Sequence, residues 1–265
     1  MIEHANAMVA KVYLVKLESG QELILKYSER PKDYQRESYF LKRLQDVIPV
    51  PRVLQEDYSH ALLMEKLPGH LMSHADFTKS VAFELGTILA TLHQIKMELF
   101  GDPTEADTLS SDPFTPFTAK FEEGLSECSG HLPPELLKKC KDHFHKLIEQ
   151  HHQVDGPCLI HRDFRPGNIF VHQGRIQGII DWASSRSGFA EEDFCALEEN
   201  QLCNAPFLEG YASIRPVPDY QKILPLLKLS KAIASIGFTV KIGTWNSRDA
   251  AFYQKHLNYC NKLNT

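Results

Sequence analysis

A polar segment in the second half of the chain carries three side chains whose types and spacing suit metal-dependent chemistry. In the run CLIHRDFRPGNIFVHQGRIQGIIDW, residues 158–182, Asp163 and Asn168 stand five residues apart across a Pro-Gly turn, so both can point at one spot from the ends of a short loop. Asp181 follows eighteen residues after Asp163, at the end of a predicted hairpin that returns it to that spot. Carboxylate and carboxamide oxygens suit Mg²⁺, which favours one or two carboxylates together with phosphate oxygens. The segment therefore predicts a magnesium and phosphate site.

The elements that must position these residues begin with a β-rich part. Runs of apolar and β-branched residues, bounded by turn residues, are typical of strands. They predict strands over 9–17, 22–26, 53–54 and 61–64, with a helix over 34–44.

The pattern changes beyond Pro68-Gly69, where apolar residues recur at helical spacing from Val81 onward. This spacing predicts a larger, mostly helical part, interrupted by the hairpin that precedes Asp181. The further helical stretches are predicted at 118–127, 134–153, 191–213 and 219–263. We therefore predict an N-terminal lobe over residues 1–67 and a C-terminal lobe over 68–265.

The order His-x-Asp-x4-Asn, an apolar strand and a second Asp is also the order of catalytic and metal-binding residues in protein kinases. Here the second motif reads Asp181-Trp-Ala instead of Asp-Phe-Gly. With Ile179-Ile180 before it, this motif resembles the aminoglycoside phosphotransferase and choline kinase-like family of small-molecule kinases. The resemblance extends from about Val12 to Phe194. It implies an α+β, bilobal protein-kinase-like fold and a kinase that uses ATP and Mg²⁺ to phosphorylate a hydroxyl of a small molecule.

The resemblance also implies roles for individual residues. Asp163 would accept or orient the proton of the acceptor hydroxyl, and Asn168 and Asp181 would hold Mg²⁺. Lys26, at the end of a strand, would contact the phosphates and be fixed by Glu37; a solvated lysine and pairing of Glu37 with Lys42 or Arg43 are the alternatives. His161 is expected to organise the loop through hydrogen bonds, and Asp193 matches a structural position of the family.

On the nucleotide side, protein kinases use a glycine-rich loop, yet residues 1–12 contain no glycine. Backbone amides near Asn6, within His4-Ala-Asn-Ala-Met8, are the predicted substitute. The adenine should lie along Glu65 to Leu67, hydrogen-bonded to main chain, with Met64 lining the pocket. Main-chain contacts of this kind leave ATP and GTP both open as the donor.

On the acceptor side, a group of acidic residues follows Asp181 and could attract a cationic substrate. Glu191 and Glu192 lead this group, which also includes Asp193, Glu198 and Glu199. A solvated helix start is the alternative. Trp182 could belong to an aromatic wall with Trp245, Tyr211 and Phe207, although aromatic residues in helices usually lie in the core.

Arg162 and Arg165 favour an acceptor of the opposite charge. Two arginines beside Asp163 could hold an acidic acceptor or screen the phosphates. The candidate substrate contacts are Arg165, Glu191, Glu192 and Trp182, and the acceptor's identity stays open.

The charge, the apolar runs and the cysteine spacing argue against several classes of protein. The net charge of −5 argues against a nucleic-acid-binding protein. No apolar run is long enough to predict a membrane span, and no signal peptide is evident, so a cytoplasmic location is predicted. The six cysteines form no C-x-x-C pair and are read as reduced thiols. A protein serine/threonine kinase and a nucleotide-binding pseudokinase are the alternative functions, and the oligomeric state is not predicted.

Overall fold

The computed structural model describes residues 2–3, 10–57, 59–150 and 153–263, and its N-terminal part is a sheet with one helix packed on it. The sheet has five antiparallel strands in the order β1-β2-β3-β5-β4. The elements are β1 (Ile2–Glu3), β2 (Ala10–Lys16), β3 (Glu22–Ser28), α1 (Pro31–Leu44), β4 (Val53–Asp57) and β5 (Ala61–Glu65). Helix α1 begins three residues before the predicted start, because Pro31 occupies its first turn, where a missing N–H costs little.

The C-terminal part is mainly helical, with three short strands and a strand pair that carry the polar loop. Strands β6, β8 and β9 form one sheet, and β7 pairs with β10. The elements are β6 (His70–Leu71), α2 (Lys79–Gln94), α3 (Phe114–Cys128), α4 (Pro134–Glu149), β7 (Cys158–Ile160), β8 (Ile169–His172), β9 (Arg175–Ile179), β10 (Arg186–Gly188), α5 (Glu191–Glu199), α6 (Ala205–Ala212), α7 (Tyr220–Lys241) and α8 (Ala250–Asn261). The predicted lobe boundary at residue 67 stays a prediction.

Helices α2 and α6 cross with their backbones in close contact. A Cβ on Gly86 would lie 2.1 Å from the carbonyl oxygen of Phe207, and one on Gly210 would lie 2.0 Å from that of Phe83. Glycine is therefore required on both helices at the crossing. The crossing brings the Tyr211 hydroxyl within 2.8 Å of His93 Nδ1, a contact that continues to the polar loop.

Buried apolar side chains form two main clusters. The first joins the two parts of the chain, since Phe40 of α1 belongs to the same cluster as Leu85 of α2 and Phe164 of the polar loop. The second lies among α3, α4, α7 and α8 around the stacked rings of Phe121 and Phe144, whose centroids are 3.7 Å apart. The loop thus rests on a core that both parts of the chain share.

Helix α7 is long and apolar enough to cross a bilayer by length and composition. However, 67% of its most apolar window is buried inside the fold, against helices that include α3, α5 and α8. Packing within the protein therefore accounts for its apolar character. The cytoplasmic location stays a prediction.

Candidate active site

The loop between β7 and β8 brings Asp163 and Asn168 into direct contact. The Nδ2 group of Asn168 donates to the Asp163 carboxylate at 2.8 Å and to the Asp163 main-chain carbonyl at 2.9 Å. Arg165 Nε donates to both oxygens of the same carboxylate, at 3.0 and 2.9 Å. Asp163 is therefore held by one amide and one guanidinium, with the loop closed by a short 3₁₀ turn at Pro166–Asn168.

His161 is fully buried and joins the loop to the strand that leads to Asp181. Its Nδ1 accepts from the main-chain N–H of Asp163 at 3.2 Å, and its Nε2 donates to the carbonyl of Ile180 at 3.0 Å. Both ring nitrogens are thus used in positioning, as expected for a residue that organises the loop.

Asp193, at the start of α5, holds the polar loop through hydrogen bonds to its main chain. Its Oδ2 accepts from the main-chain N–H of His161 at 2.9 Å, and its Oδ1 accepts from that of Arg162. His93 Nε2 lies 3.1 Å from Oδ2, and neither side chain of this pair is exposed. Burial acts to raise the pKa of Asp193, but the hydrogen bond and charge of His93 outweigh it and hold that pKa below its ordinary value. The carboxylate is therefore ionised and fully hydrogen-bonded.

Asp181 leaves β9 in a left-handed backbone conformation, with φ 66° and ψ 64°. Non-glycine residues seldom adopt this conformation, and such strain is concentrated at functional sites. The main-chain N–H of Ile180 donates to the carbonyl of Asn168 at 2.9 Å, which fixes the strand end beside the loop. The turn then directs the Asp181 carboxylate to Lys26, whose Nζ lies 2.9 Å away.

Lys26 of β3 and Glu37 of α1 form a buried ion pair with Nζ–Oε2 and Nζ–Oε1 distances of 2.7 and 2.8 Å. Burial acts to lower the pKa of Lys26, but the charges of Glu37 and Asp181 outweigh it and raise that pKa above its ordinary value. Burial raises the pKa of Glu37, whereas the Lys26 charge lowers that of Asp181. The structure therefore brings Lys26, Glu37 and Asp181 together with a charged lysine at the centre.

The oxygen atoms at this point fit a hard divalent cation. Asp181 supplies a carboxylate, and Asn168 supplies an amide oxygen, since its amide nitrogen faces Asp163. Among the described residues no group of three or more His, Cys, Asp and Glu side chains is arranged to hold a metal. Mg²⁺ in proteins is commonly held by one or two protein oxygens together with phosphate oxygens, and Asp181 and Asn168 offer that number.

The nucleotide-side residues lie where the chain passes from one part to the other. The N–H of Glu65 donates to the carbonyl of Arg52 at 2.9 Å, so this donor is already used. The Met64 side chain is buried within the sheet, and Leu67 packs over Gly178, where an added Cβ would lie 2.6 Å from Leu67 Cδ1. Asn6 lies outside the described residues.

With this geometry in place, comparison with known proteins decides the family. The Phosphotransferase enzyme family matches residues 5–221. The chain belongs to this family.

Curated proteins and solved structures are also similar to this chain. A homoserine kinase of Gluconobacter oxydans is 29% identical over 181 residues, which cover 63% of this chain and 54% of that protein. The chain thus spans about half the length of this curated relative.

Two solved structures each have a TM-score of 0.71. A protein of Thermobifida fusca assigned as a fructosamine-3-kinase is 18% identical over 99% of this chain and 93% of its own. An aminoglycoside phosphotransferase in complex with AMP-PNP and hygromycin B is 13% identical, over 98% of this chain and 92% of its own. They confirm the predicted bilobal, protein-kinase-like fold.

Several acceptor-side predictions for this phosphotransferase family member are wrong. Trp182 is wholly buried and its indole N–H donates to the carbonyl of Ile179 at 2.9 Å, so it belongs to the core instead of an aromatic wall. Phe207 and Tyr211 are equally buried. These rings pack because the turn after Asp181 and helix α6 both face the shared core.

The acidic residues after Asp181 do not form an open anionic surface either. Glu191 accepts the N–H of Asp155 at 3.1 and 3.2 Å and is buried, which contradicts its predicted role as a substrate contact. Glu192 pairs with Arg162 at 3.2 Å. Glu198 accepts from the Tyr220 hydroxyl at 2.8 Å, and Glu199 pairs with Lys231 at 3.0 Å. Each carboxylate has a partner within the fold, and Glu192 also lines a cleft on the C-terminal part of the chain.

The structural role of Glu191 gives a prediction for stability. Burial raises its pKa to about 7, so the folded chain binds a proton there that the unfolded chain has lost above the ordinary value of 4.5. Below pH 4.5 Glu191 therefore costs no stability, and the free energy of unfolding falls as the pH rises toward 7 and the buried carboxyl must ionise. We expect Glu191→Gln to raise the free energy of unfolding at pH 8 by about 1–3 kcal/mol, with the gain shrinking toward pH 5. Denaturant unfolding at both pH values measures this.

The same Glu191→Gln variant separates a structural role from substrate binding. An unchanged KM for the acceptor is expected. An equal gain at both pH values would contradict the titration of Glu191.

Sequence reasoning missed two cations of this region, Lys120 of α3 and Arg186 of β10. Neither stands near Asp163 in the sequence. Arg186 reaches the loop because its Cα pairs with Ile160 across the β7–β10 ladder. Only the strand pairing reveals this proximity, and no local motif signals it.

Proposed function

We propose that this chain transfers the terminal phosphoryl group of a nucleoside triphosphate to a hydroxyl group of a small molecule. The observation that carries the proposal is the polar loop, where Asn168 contacts Asp163 at 2.8 Å, bonded at Asn168 to the end of β9, from which Asp181 contacts Lys26 at 2.9 Å. Family membership supports it, as does the similarity to a homoserine kinase of Gluconobacter oxydans.

Asp163 is the proposed proton acceptor. In the transfer, the acceptor oxygen forms a bond to the terminal phosphorus as the bond from that phosphorus to the bridging oxygen of the diphosphate breaks. The hydroxyl proton passes to the Asp163 carboxylate, which is 30% exposed and so can be reached. Asn168 and Arg165 keep both carboxylate oxygens in place for that contact.

Asp181 and Asn168 are the proposed Mg²⁺ ligands. When bound, Mg²⁺ would neutralise charge on the phosphate oxygens. Lys26 would contact the same phosphates, and Glu37 would keep its ammonium aimed at them from α1. Positioning of this kind supplies most of the rate enhancement in phosphoryl transfer, because the protein forms no covalent bond itself.

The purine base would lie along residues 65–67, as the sequence predicts. Because the Glu65 N–H is used by Arg52, the main-chain groups of Leu67 are the better donors and acceptors for the base. ATP is the proposed phosphoryl donor, and the assay compares it with GTP.

The segment after Asp181 favours a small-molecule acceptor over a protein. Nine residues separate Asp181 from α5, and they include a 3₁₀ turn and β10. Protein kinases place an activation loop with its phosphorylation site after the corresponding Asp. This shorter, structured connection leaves no such loop.

Asp181→Asn tests the function and the metal site together. With purified chain, ATP, Mg²⁺ and a panel that includes L-homoserine, fructosamines and aminoglycosides, we expect ADP release coupled to a phosphorylated acceptor. The variant should lower kcat at least about 100-fold, because it loses a charge that holds the metal-bound phosphates. Asp219→Asn, at an exposed carboxylate paired with Lys222, is the control.

The assay also addresses the alternatives. ATP binding without transfer to any acceptor would favour the pseudokinase. Phosphorylation of proteins alone would favour a protein kinase. Either result overturns the proposal.

A further inference from the structure

A cleft on the C-terminal part of the chain has one apolar and one charged wall. The apolar wall comes from the connection after α2 and from α3, and the charged wall from β10 and α5. The lining includes Phe100, Pro113, Pro116, Phe117, Arg186 and Glu192. The cleft adjoins the polar loop that carries Asp163, because Glu192 binds Arg162, the residue before Asp163, at 3.2 Å.

Arg186 is the unusual member of this cleft. Its Nε is buried, and among the described residues it has no hydrogen-bond partner. The two other arginines of the region are engaged: Arg162 by Glu192, and Arg165 by Asp163. A buried, unpaired donor on a charged group is costly unless something binds to it. An acceptor in the cleft would satisfy this donor, and an anion would also balance its charge.

The charges around Arg186 favour an anion. Burial, with the positive charge of Arg162 next, lowers the pKa of Arg186 to about 9. Burial also lowers the pKa of Lys120, with contributions from Arg186 and Arg162. Glu192 and Asp102 offset part of this positive charge. Both are already paired, Glu192 with Arg162 at 3.2 Å and Asp102 with Arg36 at 2.6 Å, and Glu123 pairs with Lys120 at 2.6 Å.

We propose that Arg186 binds a carboxylate of the phosphoryl acceptor, so that the substrate is a small hydroxy acid or hydroxy amino acid. This rests on the proposed function, since it places the acceptor in the cleft beside Asp163. Guanidinium groups suit carboxylates because the two bind through paired, charge-assisted hydrogen bonds. The apolar wall excludes water and so strengthens that pair.

The charges of the lining agree with a small anionic acceptor. With the acidic residues after Asp181 bound within the fold, the observations favour an anionic group on the acceptor.

Arg186→Met tests the proposal with two probes that differ in one group: L-homoserine and 3-aminopropan-1-ol, which lacks its carboxylate. For the wild type we expect kcat/KM to be much higher with L-homoserine. The variant should raise the KM for L-homoserine about 10–100-fold, as expected when a charge-assisted pair is lost. Its activity on 3-aminopropan-1-ol and its KM for ATP should stay within about twofold. Arg248→Met, at an exposed arginine paired with Asp249, is the control.

Folding and binding are measured alongside. Removing a buried charge without a partner should leave the melting temperature unchanged or higher. Calorimetric titration with L-homoserine, in the presence of a non-hydrolysable ATP analogue, reports binding even if no phosphoryl transfer occurs. Binding that is lost only in Arg186→Met supports the carboxylate site, even where absent transfer refutes the kinase.

Three results would overturn the proposal. The first is an equal loss with both probes, which indicates a general structural effect. The second is a raised KM for ATP alone, which assigns Arg186 to the nucleotide phosphates. The third is unchanged binding and kinetics for L-homoserine in the variant, or no binding of that probe by the wild type.

Discussion

Asp163→Asn is expected to lower kcat by about 10²–10⁴-fold, the usual contribution of a positioned proton acceptor. The amide keeps the shape of the side chain but has lost the charge that would accept the hydroxyl proton. Asn168 and Arg165 lie within 3.0 Å of this carboxylate, so the substitution acts at the centre of the proposed site. Single-turnover measurement of acceptor phosphorylation determines the loss without interference from product release.

Folding and nucleotide binding should survive this change. Asp163 contributes one partly exposed ion pair with Arg165, and such pairs add little to stability. We therefore expect the melting temperature and the Kd for ATP to match those of the wild type. Asp46→Asn, at an exposed carboxylate paired with Arg52, is the control. Undiminished transfer by Asp163→Asn would exclude Asp163 as the proton acceptor.

Asp193→Ala is expected to reduce the free energy of unfolding by about 3–5 kcal/mol, because it leaves His93 and two main-chain N–H groups buried without their partner. For a chain of this size, that corresponds to a fall of about 6–15 °C in the melting temperature. The catalytic loop loses its anchor at His161 and Arg162, so kcat should fall as well. Denaturant unfolding and single-turnover kinetics measure the two effects.

A double-mutant cycle assigns the loss to the His93–Asp193 pair. In a His93→Leu background, Asp193→Ala should cost markedly less, since the buried imidazole is already absent. Asp142→Ala, at an exposed carboxylate paired with Lys138, should change stability by no more than about 0.5 kcal/mol. Equal costs of Asp193→Ala in both backgrounds would show that the two side chains are not energetically coupled.

The fold was largely predictable because its elements follow local patterns. Strands β2 and β3 are runs of apolar and β-branched residues, and α2 carries apolar residues at helical spacing. The errors lie at element ends and in long helical regions. Helix α1 starts at Pro31, and the predicted helix over 191–213 is two helices, α5 and α6.

Burial of the acceptor-side residues was not predictable. Trp182 and Glu191 stand one and ten residues after Asp181, which suggested contact with a substrate. Both point into the fold, where Trp182 bonds to Ile179 and Glu191 to Asp155. Sequence distance from a catalytic residue does not fix which way a side chain faces, because that depends on the elements packed against it.

By itself the sequence predicted the polar loop and the chemistry proposed for it. Asp163, Asn168 and Asp181 lie within one short segment, where a tight turn and a hairpin dictate their convergence. Tertiary structure alone decided the ion partners and the lining of the cleft beside Arg186. Lys26 is 155 residues from Asp181, and Arg186 faces the loop only because β10 pairs with β7. Local geometry fixes contacts within a loop, whereas contacts between distant segments depend on how the whole core packs.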